Sequence, residues 1–137
     1  MAFTPKTAPY GGRIQTVTVG TGDKAMTLGG QNVLPFYTFD GEIPHAPKIG
    51  VEISDAADGW TVPGLADFYA GCSTMADRAK KAEAIPGADF LCLHFESADP
   101  NGANRSIADC VADAREVAEV TDFPLVILGC RNLEKDA

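Results

Sequence analysis

The 137-residue chain is 45% hydrophobic, 22% charged and 8% aromatic, the balance of one ordinary globular unit and not of a disordered or fibrous polypeptide. Nineteen acidic against eleven basic side chains leave a formal charge of −8, so the basic footprint of a nucleic-acid binder is missing. Apolar runs such as residues 124–130 fall far short of the roughly 20 residues a bilayer span requires. The start, Met1-Ala-Phe-Thr-Pro-Lys6, leads into no apolar signal core, and a cytoplasmic protein without membrane partners is expected.

Residues 13–19 (Arg-Ile-Gln-Thr-Val-Thr-Val) and 25–28 (Ala-Met-Thr-Leu) flank Gly20-Thr-Gly-Asp23. β-branched residues bracketing a Gly/Asp turn predict a hairpin. The glycines lack the Gly-Lys-Ser/Thr ending of a phosphate loop and no helical pattern follows them. The aromatic-rich connector 34–43 comes next, and Pro35, Pro44 and Pro47 keep this stretch out of helix.

From Ile49 the character changes. Residues 49–54 predict a short strand ending in Ser54-Asp55. From about Leu65 to Ile85, apolar or small residues at Phe68, Cys72, Met75, Ala79 and Ala82 predict one helix of about five turns, stopped by Pro86-Gly87. Residues 89–95 are nearly all apolar, as strands buried on both faces are, and run into the polar loop 96–104. Ser106, with Asp109 three residues on, opens a helix whose apolar face is Ile107, Cys110, Val111, Ala114, Val117 and Ala118. Residues 123–130 predict a third apolar strand, and a helix begins at Leu133.

Cys72, Cys92, Cys110 and Cys130 include no Cys-x-x-Cys pair for zinc or an iron–sulfur cluster and read as small buried residues of a reduced protein. The acidic residues Asp109, Asp113, Glu116 and Glu119 read as a solvated helix face.

Three β units with two complete helices predict an α/β class with parallel strands. Strand starts near 49, 89 and 124 repeat every 35–40 residues or so, and an eight-unit barrel at that period needs roughly 250–300 residues. Three such strands alone leave sheet edges and apolar flanks in water, so the pattern points to a truncated chain or a piece completed by other polypeptide. A complete small α/β domain is the alternative, if the hairpin covers the exposed flank.

Gly29-Gly30-Gln-Asn-Val-Leu-Pro-Phe-Tyr-Thr-Phe-Asp-Gly-Glu-Ile43, Ile49-Gly-Val-Glu-Ile53, Gly87-Ala-Asp89, Ala98-Asp-Pro-Asn-Gly-Ala-Asn104 and Gly129-Cys130 with Glu134-Lys-Asp136 form an ordered series. That series resembles the small subunit of the corrinoid iron–sulfur protein, the delta subunit of acetyl-CoA decarbonylase/synthase, over nearly the whole chain. The resemblance implies residues 1–47 as hairpin and connector, and 48–137 as the first three β/α units of a TIM (β/α)8 barrel. It implies a heterodimer with a large subunit that carries the iron–sulfur cluster, with a corrinoid (cobalamin) shared between the two. It further implies passage of a methyl group from a methyl-pterin, through a methyltransferase, to acetyl-CoA synthase/CO dehydrogenase, in the carbon-fixing acetyl-CoA pathway of anaerobes. The chain is then a scaffold and not itself the catalyst. A pterin-binding barrel methyltransferase and an inactive barrel fragment are the competing readings.

Ligands of parallel α/β sheets gather at the strands' carboxyl ends, here Glu52–Asp55, Glu96–Asn104 and Gly129–Asn132. The middle loop is the richest. Ser97, Asp99, Asn101, Gly102 and Asn104 are the candidate cofactor-binding residues, with polar groups for a corrin's amide rim and a glycine for close backbone approach. The competing reading is a plain turn with positive φ at Asn101-Gly102 and a helix cap at Asn104 or Ser106. Glu52 and Glu96 form a possible acid/base pair across the sheet. The corrinoid motif Asp-x-His-x-x-Gly is absent, so neither His45 nor His94 is expected to ligate cobalt, and His94 reads as a satisfied core histidine. No catalytic or metal-ligating residue is assigned.

Overall fold

A computed structural model describes residues 2–4, 11–33, 41–56 and 62–137. The predicted connector 34–43 falls largely outside them. Strands β1 (Val17–Val19) and β2 (Met26–Leu28) pair antiparallel, Val17 opposite Leu28, with the Gly22–Lys24 turn between them. In the same register Ile14 N–H donates to the Gln31 carbonyl at 2.8 Å.

Three further strands, β3 (Gly50–Ser54), β4 (Phe90–His94) and β5 (Leu125–Leu128), form a parallel sheet in chain order, with β4 central. Each follows the helix or helices after its predecessor: α1 (Pro63–Phe68) and α2 (Met75–Ala82) come between β3 and β4, and α3 (Ile107–Val120) between β4 and β5. A short α4 (Leu133–Asp136) follows β5. The molecule is mixed α/β, as expected, with the three predicted strands each trimmed by a residue or more at their ends. Among the described residues no helix is long and apolar enough to cross a membrane.

Alternation along the strands decides the layers. Ile53, Leu91 and Leu93 point to one face, where α2 supplies Met75, Ala79 and Ala82 and α3 supplies Cys110 and Val117, and these make the buried core. Fully burying a side chain of this size stabilises by about 1.5–3 kcal/mol. Glu52, Cys92 and His94 alternate to the opposite face.

The single helix expected over 65–85 is two helices. Gly71 takes φ +84°, and Thr74 is extended and caps α2: its hydroxyl accepts from Asp77 N–H at 3.0 Å while the Asp77 carboxylate accepts from Thr74 N–H at 3.2 Å. The apolar spacing continues across the break, which is why periodicity alone merges the two. Bonds from Ser73 and Thr74 hold the Asp77 carboxyl below its ordinary value, the Ser73 backbone N–H first among them. Two further expectations are corrected. Of the apolar face expected for α3, Ile107 and Val111 are 44% and 43% exposed, because they face a groove beside β5, and Ala118 is exposed as well. Of the four free cysteines only Cys110 is buried: Cys72 lies in the helix break, Cys92 on the face away from the helices and Cys130 past the end of β5.

The hairpin lies at the amino ends of the parallel strands. A Cβ on Gly20 would stand 2.8 Å from Pro124 Cγ, just before β5, and the Lys24 ammonium lies 5.0 Å from the Phe123 ring centroid. The opposite, carboxyl end is left to the loops.

Candidate functional site at the carboxyl ends of the strands

Three loops meet there, and a buried carboxylate organises two of them. Asp55, directly after β3, has a side chain only 1% exposed. It accepts from Ser97 N–H at 2.9 Å and from the Ser97 hydroxyl, and Arg105 Nη1 lies 3.6 Å away. Arg105 reaches Asp113 of α3 at 2.5 Å, a bond that, with burial opposing it, pushes the guanidinium above its ordinary value. The Arg105 carbonyl accepts from Lys135 Nζ at 3.1 Å, bringing α4 into the network. On the helix side Arg78 of α2 donates to the Ser54 carbonyl at 3.1 Å. An unpaired buried carboxylate is costly, so this set of partners fixes where the 96–105 loop begins and ends.

Within that frame the loop closes on Asp99. Its carboxylate accepts from Asn101 N–H at 2.8 Å and from Asn101 Nδ2 at 3.1 Å. Its carbonyl accepts from Gly102 N–H at 2.9 Å and Asn104 N–H at 3.0 Å. Asn104, not the Asn101-Gly102 pair, carries the positive φ, +50°, which suits asparagine better than most residues. A Cβ on Gly102 would come no closer than 3.6 Å to anything, so no close backbone approach requires glycine there. Ser106, not Asn104, caps α3, its hydroxyl accepting from Asp109 N–H at 3.2 Å.

The five candidate residues therefore divide. Ser97 is turned inward and committed to Asp55. Asp99 is the hinge of the turn. Asn101, Gly102 and Asn104 are exposed on the rim, and the Asn104 amide makes no side-chain hydrogen bond among the described residues. At the third strand end, Cys130 N–H donates to Asp136 Oδ1 at 2.9 Å, and a Cβ on Gly129 would collide with that carboxylate.

The proposed Glu52–Glu96 pair does not form. Glu52 Oε1 lies 2.9 Å from His94 Nδ1, while Glu96 accepts from Ser54 Oγ at 3.4 Å. His94 is partnered at Nδ1 only, by a carboxylate on the face away from the helices, and so lies outside the buried core in which a satisfied histidine was expected. Sequence reasoning missed the Asp55–Arg105 link, whose only trace is a carboxylate directly after an apolar strand. Among the described residues no group of three or more His, Cys, Asp or Glu side chains is placed to hold a metal ion.

The model of the CO dehydrogenase/acetyl-CoA synthase delta subunit family matches residues 16–136. The acetyl-CoA decarbonylase/synthase complex subunit delta of Archaeoglobus fulgidus is 30% identical over 98% of the chain and 31% of its own length. The subunit of the same name from Methanothermobacter thermautotrophicus is 31% identical over 98% of the chain and 34% of its own length. That from Methanocaldococcus jannaschii is 28% identical over 96% and 34%. The chain spans about a third of the length of these curated relatives.

Proposed function

The chain belongs to the CO dehydrogenase/acetyl-CoA synthase delta subunit family, and from that membership we propose that it is part of the non-catalytic subunit of a corrinoid iron–sulfur methyl carrier. In this reading the three parallel strands open a TIM barrel. The barrel's carboxyl-end rim faces a corrinoid shared with a large subunit, and the iron–sulfur cluster belongs to that partner. The methyl group comes from a methyl-pterin by way of a methyltransferase and goes on to acetyl-CoA synthase/CO dehydrogenase, in the cytoplasm.

The observation that carries the reading is β5. It is as apolar as β4 and among the described residues pairs on one edge only, and Val126 and Ile127 are 37% and 58% exposed. A groove of about 530 Å³ between α3 and β5, with Ile107, Val111 and Ile127 on its walls, lies where the helix after β5 of a β/α barrel would pack. A soluble sheet with such a flank is normally continued or covered.

The rim residues suit a corrin's amide-bearing edge. Asn101 and Asn104 offer exposed amides, and Asp99 holds the turn that presents them. The corrinoid, when bound, supplies the cobalt that carries the methyl group. The chain's own residues supply hydrogen bonds, position and exclusion of water. Ser97 serves at one remove, through Asp55.

The test is to purify the protein with its associated subunits and measure cobalt and the visible spectrum. Stoichiometric cobalt with a corrinoid spectrum is expected; a cobalt-free intact complex overturns the reading.

A further inference from the structure

We propose that Asn101 is a self-modifying position: at a rate set by Asp99, the Gly102 backbone nitrogen closes on the Asn101 side chain, expels ammonia and leaves aspartate or isoaspartate in the rim loop. The inference does not depend on the carrier reading. On that reading the rim is covered in the assembly, so the step belongs to the chain before its rim is covered.

The placement comes from the loop. Asn101 and Gly102 are both exposed, in the turn that joins β4 to α3. A Cβ on Gly102 would stand 3.6 Å from the Asp99 carbonyl oxygen and 3.9 Å from its Cβ, with nothing else within 4 Å. The peptide nitrogen that attacks therefore has no side chain on its own residue to hinder it and open space around it. The chain holds three other asparagines, each followed by a residue with a side chain: Asn32 by Val33, Asn104 by Arg105 and Asn132 by Leu133. Asn132 is also tied to its cap, where Oδ1 accepts from Glu134 and Lys135 N–H at 3.1 and 3.2 Å.

Asp99 is the gate. Its carboxylate accepts from Asn101 N–H at 2.8 Å and from Nδ2 at 3.1 Å, and its carbonyl accepts from Gly102 N–H at 2.9 Å. An ionised carboxylate only accepts, so the Nδ2 end of the amide is turned to Asp99. One residue thus holds both the proton that must leave the Gly102 nitrogen and the side chain that must swing onto it. The step waits on local opening of the turn.

The atoms balance with water alone. The Gly102 nitrogen loses its proton to hydroxide and bonds to Asn101 Cγ. The Cγ–Nδ2 bond breaks, and ammonia leaves with a proton from water, which restores the hydroxide. Water then opens the succinimide at either carbonyl. One route gives aspartate; the other runs the backbone through the side-chain carbon as isoaspartate. No oxidation state changes.

The product differs from the parent where the loop is held. A carboxylate at 101 no longer donates to Asp99 and stands beside it as a like charge. The turn that presents the Asn104 amide loses a bond, and one of the rim's exposed amides is gone.

Peptide mapping by mass spectrometry of the purified protein, incubated at a series of pH values, tests this. Acid should accumulate at 101 well ahead of 32, 104 and 132, as both aspartate and isoaspartate, and faster as pH rises. Gly102→Ala, whose added Cβ the turn accommodates, should slow the reaction severalfold. Asp99→Ala should speed it about fivefold, the equivalent of one such hydrogen bond. An Asn101 that keeps its amide as long as the other three, a rate independent of pH, or a Gly102→Ala protein that reacts as fast as the parent overturns the site. An unchanged or slower rate in Asp99→Ala overturns the gate.

Discussion

β4 and β5 are written in nearly the same alphabet, Phe90-Leu-Cys-Leu-His94 and Leu125-Val-Ile-Leu128, and they meet opposite environments. β4 is paired on both edges, and its Leu91 and Leu93 are fully buried under α2 and α3. Among the described residues β5 is paired on one edge. Its Ile127, opposite Leu93 in register, keeps 58% of its surface. Apolar composition therefore records how much cover a strand requires, and the described residues supply that cover to β4 alone.

The contrast is open to attack. Leu93→Ala should cost about 2–5 kcal/mol of unfolding free energy, read from the denaturant midpoint, because it leaves a cavity beneath two helices. Ile127→Ala in the 137-residue chain should cost less than about 1 kcal/mol, as an exposed position does. If the two cost the same there, the contrast fails.

Next in size is the clamp at the carboxyl end. Asp55→Ala removes the acceptor of two Ser97 donors and a neighbour of Arg105, and should cost about 2 kcal/mol. It should also speed amide exchange across 97–105, with the β1–β2 hairpin unaffected. Thr74→Ala, at the helix start that separates α1 from α2, should cost about 1 kcal/mol.

The smallest effect is one of pH. Asp89 accepts from Ile49 N–H at 2.9 Å and Lys48 Nζ at 3.0 Å, and these bonds, the backbone one first, hold its carboxyl below the ordinary 3.8. A lowered folded-state value means stability fully present above that ordinary value and lost as pH falls through the folded one. Asp77, lowered by Ser73 and Thr74, behaves alike. Stability should decline below about pH 4. Asp89→Asn should flatten part of that decline in an acid-unfolding series.

The parallel strands, α3 and its Ser106 cap were legible because each rests on a local pattern: an apolar run, a 3.6-residue stripe, a hydroxyl three residues before an acid. Where two patterns competed, the reading failed. The spacing Phe68, Cys72, Met75, Ala79 suits one helix, and Gly71 with the Thr74–Asp77 box overrides it. At the candidate site the polar loop was visible, but its inner logic was not. Ser97 is bound by a residue 42 positions earlier, and Glu52 by one 42 positions later. Sheet register brings these pairs together, and no local motif encodes it.

Amide exchange along β5 in the intact purified protein tests most directly the claim that the sheet continues past this strand. The bonds Leu91 N–H to the Pro124 carbonyl, 3.0 Å, and Phe95 N–H to the Leu128 carbonyl, 2.9 Å, turn those two carbonyls toward β4. By the alternation of a parallel pair, the Val126 and Leu128 amides face β4 while those of Leu125 and Ile127 face the other edge. If a further strand pairs there, Leu125 and Ile127 will exchange as slowly as Val126 and Leu128. Exchange at Leu125 and Ile127 faster by orders of magnitude, in a protein whose Val126 and Leu128 remain protected, would contradict it.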